Sequence, residues 1–474
     1  MREYGIMFKH LFFDDTRLLK RENLARDYGK PVACGSFIDP RVACGYAWAF
    51  ATKGPDGRYY LLYQGFLDGQ GVLVPALAVS DDGISFQSAK IPEDASPKQP
   101  ALPNQLDIPP LPCNSEIGSL LDDPTAPRSQ RYKLLLADHT EMYPKRFIND
   151  YVLSSPDLIH WTRMEDSCWN PRGTEPVTGC FHNPLYKTNV ILTRPDWGQR
   201  RVAITETADW HRFTPMELCM QADSEDIPLA EIYGMTALEL DGWFIGFPHI
   251  YTGFPQSYEH KFRGGTMGVQ LAYSLNGHHW QRSLRKYFLG PDLDVGDGLW
   301  KMTFPTSFLK QEDGSWLLYA GGSHAPHGSS CAEILGKTAV RIFHLRKDGF
   351  ICLKTDKPDE PSLLALREAV WNGGDLKVNI VAEKATCAVY ESTDKGAVLV
   401  RSHEECIPFS GDATSWTPQW KNGGLDDFRK KPLIVEIAMT NGKLFSIEYD
   451  AIPLMTVEGM RYRELGVLKW HPGF

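Results

Sequence analysis

The sequence predicts an all-β protein, with a five-bladed β-propeller over residues 1–355 followed by a β-sandwich over residues 362–474. Two observations support this fold class. Strand-like apolar runs end five times in a short tag that closes on an aromatic residue, and a hairpin pattern stands before each tag. The tags lie at 80–86, 155–161, 207–213, 274–280 and, in a weaker form, 345–350. One unit repeated along the chain is the signature of a repeat architecture.

β-favouring runs stand before or between the tags. They lie at 58–64, 131–137, 189–193, 243–247 and 315–320. Several of these runs follow an Asp-Gly pair, such as Asp241-Gly242, and a strand, an Asp-Gly turn and a strand form a hairpin signal. Another short strand stands before each tag, so every unit has three or four strands, as a propeller blade does. The tag is predicted to form the last hairpin turn, and its aromatic residue to seal one blade against the next.

The pattern changes near residue 355. A linker with two prolines occupies 357–361, and short alternating strands then recur between Gly- and Asp-containing turns, which is typical of a β-sandwich. Residues 1–35 do not resemble a blade. We expect this segment to supply the strand that closes the propeller ring.

Composition excludes several classes of function. A net charge of −9 offers no basic face for nucleic acid. The ten cysteines form no C-x-x-C pair, so neither a metal site nor another cofactor is predicted. No apolar run approaches the length of a membrane span, and residues 1–15 lack the apolar core of a signal peptide. These features predict a cytoplasmic protein that binds neither nucleic acid nor membrane.

Several segments resemble a known group of carbohydrate-active enzymes. The tag at 155–161 is similar to the S-x-D-L-x-x-W blade ending of glycoside hydrolase families 32 and 43 and of the family 130 phosphorylases. Segments that resemble bacterial family 32-like proteins are 11–15, 116–124, 131–133, 231–235, 269–274, 321–328 and 345–350. The resemblance implies the propeller-and-sandwich layout and a glycosidase. The W-M-N-D-P-N-G and R-D-P motifs of true fructosidases are missing, so no catalytic residue is carried over.

Candidate catalytic residues follow from their place in the repeat. The first strand of every blade lines the axis of a propeller, so polar side chains at its start converge on one pocket. Each unit has an acid at that place, and the five acids are Asp39, Glu116, Glu175, Glu231 and Asp297. Glycoside cleavage needs one carboxylic acid to protonate the leaving oxygen and a second carboxylate to attack or to activate water. A third carboxylate raises the pKa of the acid.

Roles are assigned to these acids as hypotheses. Asp39 is the predicted nucleophile or base, Glu116 the second or pKa-tuning carboxylate, and Glu231 the acid. Glu175 competes for the acid role, because the resemblance implies an acid on the third blade. The residues predicted to bind the sugar lie near these acids in sequence, and they are Arg41, Trp48, Tyr233, Asp297, Trp300, His324 and His327.

Three functions remain open at this point. The first is hydrolysis of a small glycoside or oligosaccharide, such as a fructoside or an arabinofuranoside, by paired carboxylates. The second is a glycoside phosphorylase, which needs Arg, Lys or His in the pocket to hold inorganic phosphate. The third is a propeller that binds glycans without catalysis. Arginines in the long loops, such as Arg194, favour an anionic sugar or phosphate if they face the axis.

Overall fold

The computed structural model describes residues 7–42, 44–45, 48–67, 73–108, 115–138, 149–167, 179–195, 199–253 and 264–454. Its contacts divide the chain into two compact units, Lys30–Leu345 and a second unit that combines Met1–Gly29 with Arg346–Phe474. Helical structure among the described residues is limited to four short segments. They are Glu93–Ala95, Arg128–Gln130, α1 (Cys331–Ile334) and Asp426–Phe428. No helix in the described part of the chain has the length and apolarity needed to cross a membrane.

The first three strands belong to the second unit: β1 (Met7–Leu11), β2 (Leu18–Glu22) and β3 (Leu24–Tyr28). The strands of the first unit follow in chain order. They are β4 (Val32–Phe37), β5 (Cys44–Gly45), β6 (Phe50–Lys53), β7 (Tyr59–Phe66), β8 (Leu73–Ser80), β9 (Gln87–Ser88), β10 (Ser115–Asp122), β11 (Tyr132–Asp138), β12 (Asn149–Ser155), β13 (Thr162–Arg163), β14 (Gly179–Asn183), β15 (Thr188–Thr193), β16 (Val202–Thr207), β17 (Glu217–Met220), β18 (Ala230–Leu240), β19 (Trp243–Thr252), β20 (Thr266–Val269), β21 (Ala272–Ser274), β22 (Met302–Lys310), β23 (Trp316–Ser323) and β24 (Thr338–Leu345).

These strands form five antiparallel sheets, which are the five predicted blades. Blade two (β10 to β13) and blade three (β14 to β17) are simple four-stranded meanders. The inner strand of blade one is interrupted, so β5 and β6 both pair with β7. The third strand of blade four is interrupted in the same way, with β20 and β21 both paired to β19.

The propeller ring is closed by a strand from the beginning of the chain. β4 pairs antiparallel with β24 and is the outermost strand of blade five. The prediction that the weak tag at 345–350 forms the last hairpin of its blade is therefore wrong, because β4 already occupies that place. The chain instead passes at this point from the first unit into the second.

The other four tags share one turn. In each, a Ser or Thr hydroxyl accepts the backbone N–H three residues ahead, and the Asp or Asn two residues after it accepts further backbone N–H groups. The residue three positions after the Ser or Thr has a positive φ; these residues are Gly83, Leu158, Trp210 and Gly277. The tag aromatics are packed in clusters that join neighbouring blades, as predicted. Phe213, which ends the third tag, packs against a cluster that includes Leu135 and Val152 of blade two.

The second unit is built around two unusually long strands. Its later strands are β25 (Ile351–Thr355), β26 (Ser362–Leu366), β27 (Ala369–Thr393), β28 (Gly396–Arg401), β29 (Phe409–Trp416) and β30 (Pro432–Pro453). Register shifts let β27 and β30 bend, and the sheet encloses one apolar core around Trp371 and Tyr449, as a β-sandwich does. The unit differs from the predicted boundaries 362–474, because β1, β2 and β3 pair with β30, β26 and β25.

Candidate functional site

The order of the strands fixes which residues share a face of the propeller. In an antiparallel meander, the first strand of a blade starts on the face where the second strand ends and the third begins. We call this the entrance face. The starts of β10 and β18, the ends of β15 and β19, and the start of β16 all lie on it.

Apolar side chains from four blades meet near this face in one cluster. Trp48 packs edge-on against Phe304, with ring centres 5.1 Å apart, and the cluster includes Ile117 of blade two and Tyr233 of blade four. Because residues of blades one, two, four and five belong to a single core, the inner strands converge here as expected. Blade three reaches the same place through arginines that flank β15 and β16.

A group of polar residues surrounds the ring of Tyr233, and we call it the Tyr233 cluster: Arg194, Arg200, Glu231, Tyr233, Tyr251 and His327. The guanidinium carbons of Arg194 and Arg200 lie 5.0 and 5.1 Å from the centre of the Tyr233 ring. The Tyr233 hydroxyl lies 3.1 Å from Nε2 of His327, which follows β23 in blade five. Three blades therefore contribute to one constellation.

Glu231 and Arg200 form an ion pair within this cluster. Nη1 of Arg200 lies 2.5 Å from Oε2 of Glu231, and both side chains are largely buried. Arg200 also stands 5.0 Å from the ring centre of Tyr251. Burial raises the pKa of the Tyr251 phenol, against an opposing effect of Arg200 and with an added effect of Glu231. An ionised carboxylate bound in this way is an acceptor of hydrogen bonds and donates none.

Backbone contacts hold the loop that carries His327. The N–H of His327 donates to the carbonyl of Gly265 at 2.8 Å, and the N–H of Gly264 donates back to His327 at 2.9 Å. This reciprocal pair ties the loop of blade five to the start of β20 in blade four. The imidazole is thereby fixed beside the Tyr233 and Tyr251 rings, 5.4 and 5.2 Å from their centres.

Glu116 lies at the start of β10, where the sequence predicts it. Its side chain is half-buried, and its backbone pairs with Ala137 of β11. The N–H of the next residue, Ile117, donates to Oε1 of Gln64 at 2.9 Å, which anchors the strand start to blade one. Glu116 is therefore placed on the entrance face, beside a residue of the convergent apolar cluster.

Asp39 and Arg41 are engaged with each other within blade one. Asp39 is 2% exposed and accepts two hydrogen bonds from the Arg41 guanidinium at 2.7 Å and one from the Tyr63 hydroxyl at 2.6 Å. Burial alone acts to raise the pKa of Asp39, but these bonds from Arg41 and Tyr63 hold it below its usual value. Arg41 donates further to Ser88 and Asn104. This arrangement is that of a structural ion pair.

Asp297 is held by a buried arginine. Arg341 donates from Nε and Nη2 to the two carboxylate oxygens at 2.7 and 2.9 Å. The same guanidinium lies 4.7 Å from the centre of the Trp300 ring, and His324 stacks on that ring at 3.9 Å. Trp300 is buried and packs with both Arg341 and His324.

The structure therefore separates the predicted site residues. Glu116, Glu231, Tyr233, Trp48 and His327 belong to the convergent region of the entrance face. Asp39 with Arg41, and Asp297 with Trp300 and His324, form two polar networks of their own. Glu175 lies outside the described residues.

Sequence reasoning did not assign Arg200, Tyr251 and Phe304 to the site. It searched only the starts of first strands, whereas Tyr251 lies near the end of a second strand and Arg200 precedes a third strand. Those strand ends share the entrance face. A search of all three positions in each repeat would have included Arg200 and Tyr251.

No family model matches the sequence, and no curated protein matches it. Solved structures are similar in fold, and five-bladed propeller glycoside hydrolases are among them. An N-acetylgalactosamine deacetylase from F. plautii is 12% identical with a TM-score of 0.44, over 68% of this chain and 95% of that one. A structure from the family of mannoside phosphorylases that also contains glycoside hydrolases targeting β-1,2 mannosidic linkages in Candida mannan is 14% identical, with a TM-score of 0.40, over 68% and 94%.

The Bombyx mori family 32 β-fructofuranosidase is 13% identical with a TM-score of 0.40, over 88% of this chain and 95% of that one. The chain is similar to these proteins in its all-β propeller architecture.

Proposed function

We propose that this protein is an enzyme that hydrolyses a small glycoside or oligosaccharide on the entrance face of its propeller. The observation that carries the proposal is a shared apolar cluster of Trp48, Phe304, Tyr233 and Ile117 on the entrance face. Ile117 follows Glu116 in blade two, and Tyr233 is the centre of the polar Tyr233 cluster. Carboxylates, hydroxyls and aromatic faces are the groups that bind and cleave sugars.

In this proposal Glu116 is the carboxylate that attacks the anomeric carbon or activates water. Glu175, the rival candidate for the acid, takes the role of protonating the leaving oxygen. Glu231 takes a different role from the predicted acid, because its ion pair with Arg200 at 2.5 Å suits a group that orients a cation. Asp39 and Asp297 are assigned structural roles, since each is fixed by an arginine.

A glycoside phosphorylase is the second candidate. Arg194, Arg200 and His327 around one tyrosine ring are the kinds of residue that would hold inorganic phosphate in place of water. The two reactions differ in one requirement, because only phosphorolysis depends on added phosphate.

The test is a screen of the purified protein on aryl glycosides and oligosaccharides with and without phosphate. Glu116→Gln and Glu175→Gln are each expected to lower kcat by about 10²–10⁴-fold. Phenyl and dinitrophenyl glycosides separate the roles, since a good leaving group needs no acid. Glu175→Gln should recover on the dinitrophenyl substrate, and Glu116→Gln should not.

Glu312→Gln is the matched control. This exposed residue lies in the turn between β22 and β23, on the opposite face of the propeller, so its activity should equal that of the wild type. Turnover that Glu116→Gln leaves intact would exclude the proposed catalytic role. Sugar binding without turnover, unchanged in both variants, would favour the glycan-binding propeller.

A further inference from the structure

We propose that the second unit has a ligand site of its own and that this site takes a neutral saccharide. The site is an open pocket of about 380 Å³ between β27 and the loop that follows β29. This volume lies within the range of small-molecule sites in proteins. The inference does not rest on the proposed function, because that function concerns the first unit.

A bulge in β27 forms one wall of the pocket. β27 pairs with β30 at Gly373 and again at Lys377, and these residues face Asp450 and Glu448, so four residue steps of β27 stand opposite two of β30. Bulges re-aim side chains and are common next to functional sites. Within this bulge Gly374 has a φ of +81°, which glycine adopts without strain. The bulge leaves the Asp375 side chain exposed at the rim of the pocket.

The loop at 417–425 forms another wall, and the protein core holds it in place. The N–H of Lys421 donates to the carbonyl of Glu405 at 3.0 Å. The indole N–H of Trp420 donates to the carbonyl of Cys387 at 2.9 Å, which anchors the loop to β27. Because these contacts need no ligand, the pocket is already formed, as most small-molecule sites are.

Buried apolar side chains line the pocket. Leu376 is 2% exposed, and Trp420 and Leu425 are each 7% exposed. Pro418 is buried beside them. Since the indole N–H of Trp420 is already bonded to the core, this side chain offers a ligand only apolar surface. A sugar ring has an apolar face of C–H groups that packs on surface of this kind.

Polar side chains at the same pocket supply hydrogen bonds. Within the described part of the chain, the side chains of Asp375, Thr417 and Gln419 make no hydrogen bond and no ion pair, so all three are available to a ligand. A carboxylate accepts hydrogen bonds, and a hydroxyl or a carboxamide both donates and accepts them. Sugar hydroxyls also do both, so they match this set of groups.

Charge favours a neutral ligand. Asp375 and Asp426 are the charged side chains that the described residues contribute to the lining. Arg429 lies 3.8 Å from Asp426, and Arg401 is bonded to the carbonyl of Gly424 at 2.7 Å. An anionic ligand would be repelled by Asp375. An amine would pair with Asp375 but would not cover the apolar lining, whereas a saccharide uses both parts.

The test measures binding to the whole protein and does not depend on turnover. Isothermal titration compares five neutral disaccharides with an amine, putrescine, and an anion, glucuronate. The disaccharides are sucrose, cellobiose, maltose, lactose and xylobiose. At least one of them should bind the wild type at millimolar concentration and more tightly than putrescine or glucuronate. Its affinity should change little with added salt, because the ligand has no charge.

Two substitutions locate this binding. Gly424 lacks a positive φ, and nothing lies within 4 Å of a Cβ built there, so Gly424→Leu should fill the pocket without strain and abolish the binding. Asp375→Ala removes a hydrogen-bond acceptor and should weaken the binding about tenfold or more. Asp394→Ala is the matched control, since this exposed carboxylate lies in the turn between β27 and β28, away from the pocket. Urea unfolding checks that each variant is folded.

Each outcome decides the inference. Binding that Gly424→Leu abolishes, Asp375→Ala weakens and Asp394→Ala retains supports it. Binding that neither Gly424→Leu nor Asp375→Ala changes overturns it, because the saccharide is then held elsewhere in the protein. Tighter binding of putrescine or glucuronate overturns the neutral class of ligand, and the absence of binding by all five disaccharides overturns the site. If Gly424→Leu does not fold, the comparison of Asp375→Ala with Asp394→Ala decides alone.

Discussion

Asp123 shows how a single carboxylate serves the fold of this protein. It lies in the D-D-P segment at 122–124, after the inner strand of blade two, and it is 2% exposed. Its oxygens accept the Trp210 indole N–H at 2.7 Å and the Asn189 amide at 3.0 Å, and both donors belong to blade three. Buried Lys133 lies 4.0 Å away. The carboxylate therefore links two blades and compensates a buried cation.

Asp123→Ala is expected to lower the free energy of unfolding by about 3–5 kcal/mol, because it leaves the buried charge of Lys133 uncompensated. Its neighbour supplies the control. Asp122 pairs with Arg131 at the surface, and an exposed pair contributes about 0–1 kcal/mol, so Asp122→Ala should change little. Urea unfolding followed by tryptophan fluorescence measures both. Equal losses in the two variants would contradict the role given to Asp123.

The same residue predicts a dependence on pH. Burial acts to raise the pKa of Asp123, but hydrogen bonds from Thr125 and Trp210 hold it below its usual value. A lowered folded pKa means that this stabilisation is complete above about pH 4, the unfolded value, and is lost as the pH falls through the folded pKa. The difference in unfolding free energy between wild type and Asp123→Ala should therefore shrink as the pH falls below 4. A difference in unfolding free energy that stays constant as the pH falls below 4 would contradict this role of the Asp123 carboxylate.

At the scale of an element, the repeated tag is a turn with a fixed hydrogen-bond pattern. Four tags place a residue at positive φ, and two of them use glycine there, Gly83 and Gly277. Leu158 and Trp210 occupy the same conformation in the other two tags, although such backbone is costly for side chains larger than glycine. Both side chains are buried against neighbouring strands, and this packing offsets the local cost.

Gly83→Ala should be more destabilising than Gly57→Ala. Both glycines have positive φ, at 76° and 84°, so each substitution carries a conformational cost of about 1–2 kcal/mol. A Cβ on Gly83 would also come within 2.8 Å of Leu317 and 2.9 Å of the Tyr319 hydroxyl, whereas nothing lies within 4 Å of one on Gly57. We expect about 1–3 kcal/mol more loss for Gly83→Ala in urea unfolding. Equal losses of stability in the two variants would show that Leu317 and Tyr319 of blade five move aside for the added Cβ.

At the scale of the whole molecule, the propeller is held together by a strand from the opposite end of its sequence. β4 completes blade five, and Phe37 at its end packs against Tyr63 and Phe86 of blade one. The first and last blades therefore share one apolar cluster. Loss of this contact should weaken the closure of the ring.

Phe37→Ala should destabilise the protein by about 3–5 kcal/mol, because a large side chain is removed from a packed core. The adjacent Ile38 is 54% exposed, compared with 8% for Phe37, so Ile38→Ala should cost no more than about 0.5 kcal/mol. Thermal and urea unfolding measure the difference. A Phe37→Ala variant as stable as Ile38→Ala would mean that this contact does not secure the ring.

The five blades could be predicted because their signals are local. A hairpin turn, an alternating strand and a tag that bonds to its own backbone depend on residues a few positions apart, and they recur. The sandwich followed from the same kind of signal. The contribution of β1, β2 and β3 to that sandwich could not be predicted. These strands pair with partners more than 300 residues away, and no local pattern encodes such a pairing.

The candidate site, like the fold, could be predicted from the sequence only in part. The repeat alone placed an acid at the start of each blade, and it correctly identified the face on which Glu116 and Glu231 lie. Only the tertiary structure decided what each acid meets there: Arg41 and Tyr63 for Asp39, Arg341 for Asp297, and Arg200 for Glu231. The chemistry of a carboxylate depends on the charges and donors within a few ångströms of it, and folding brings these together from distant parts of the chain.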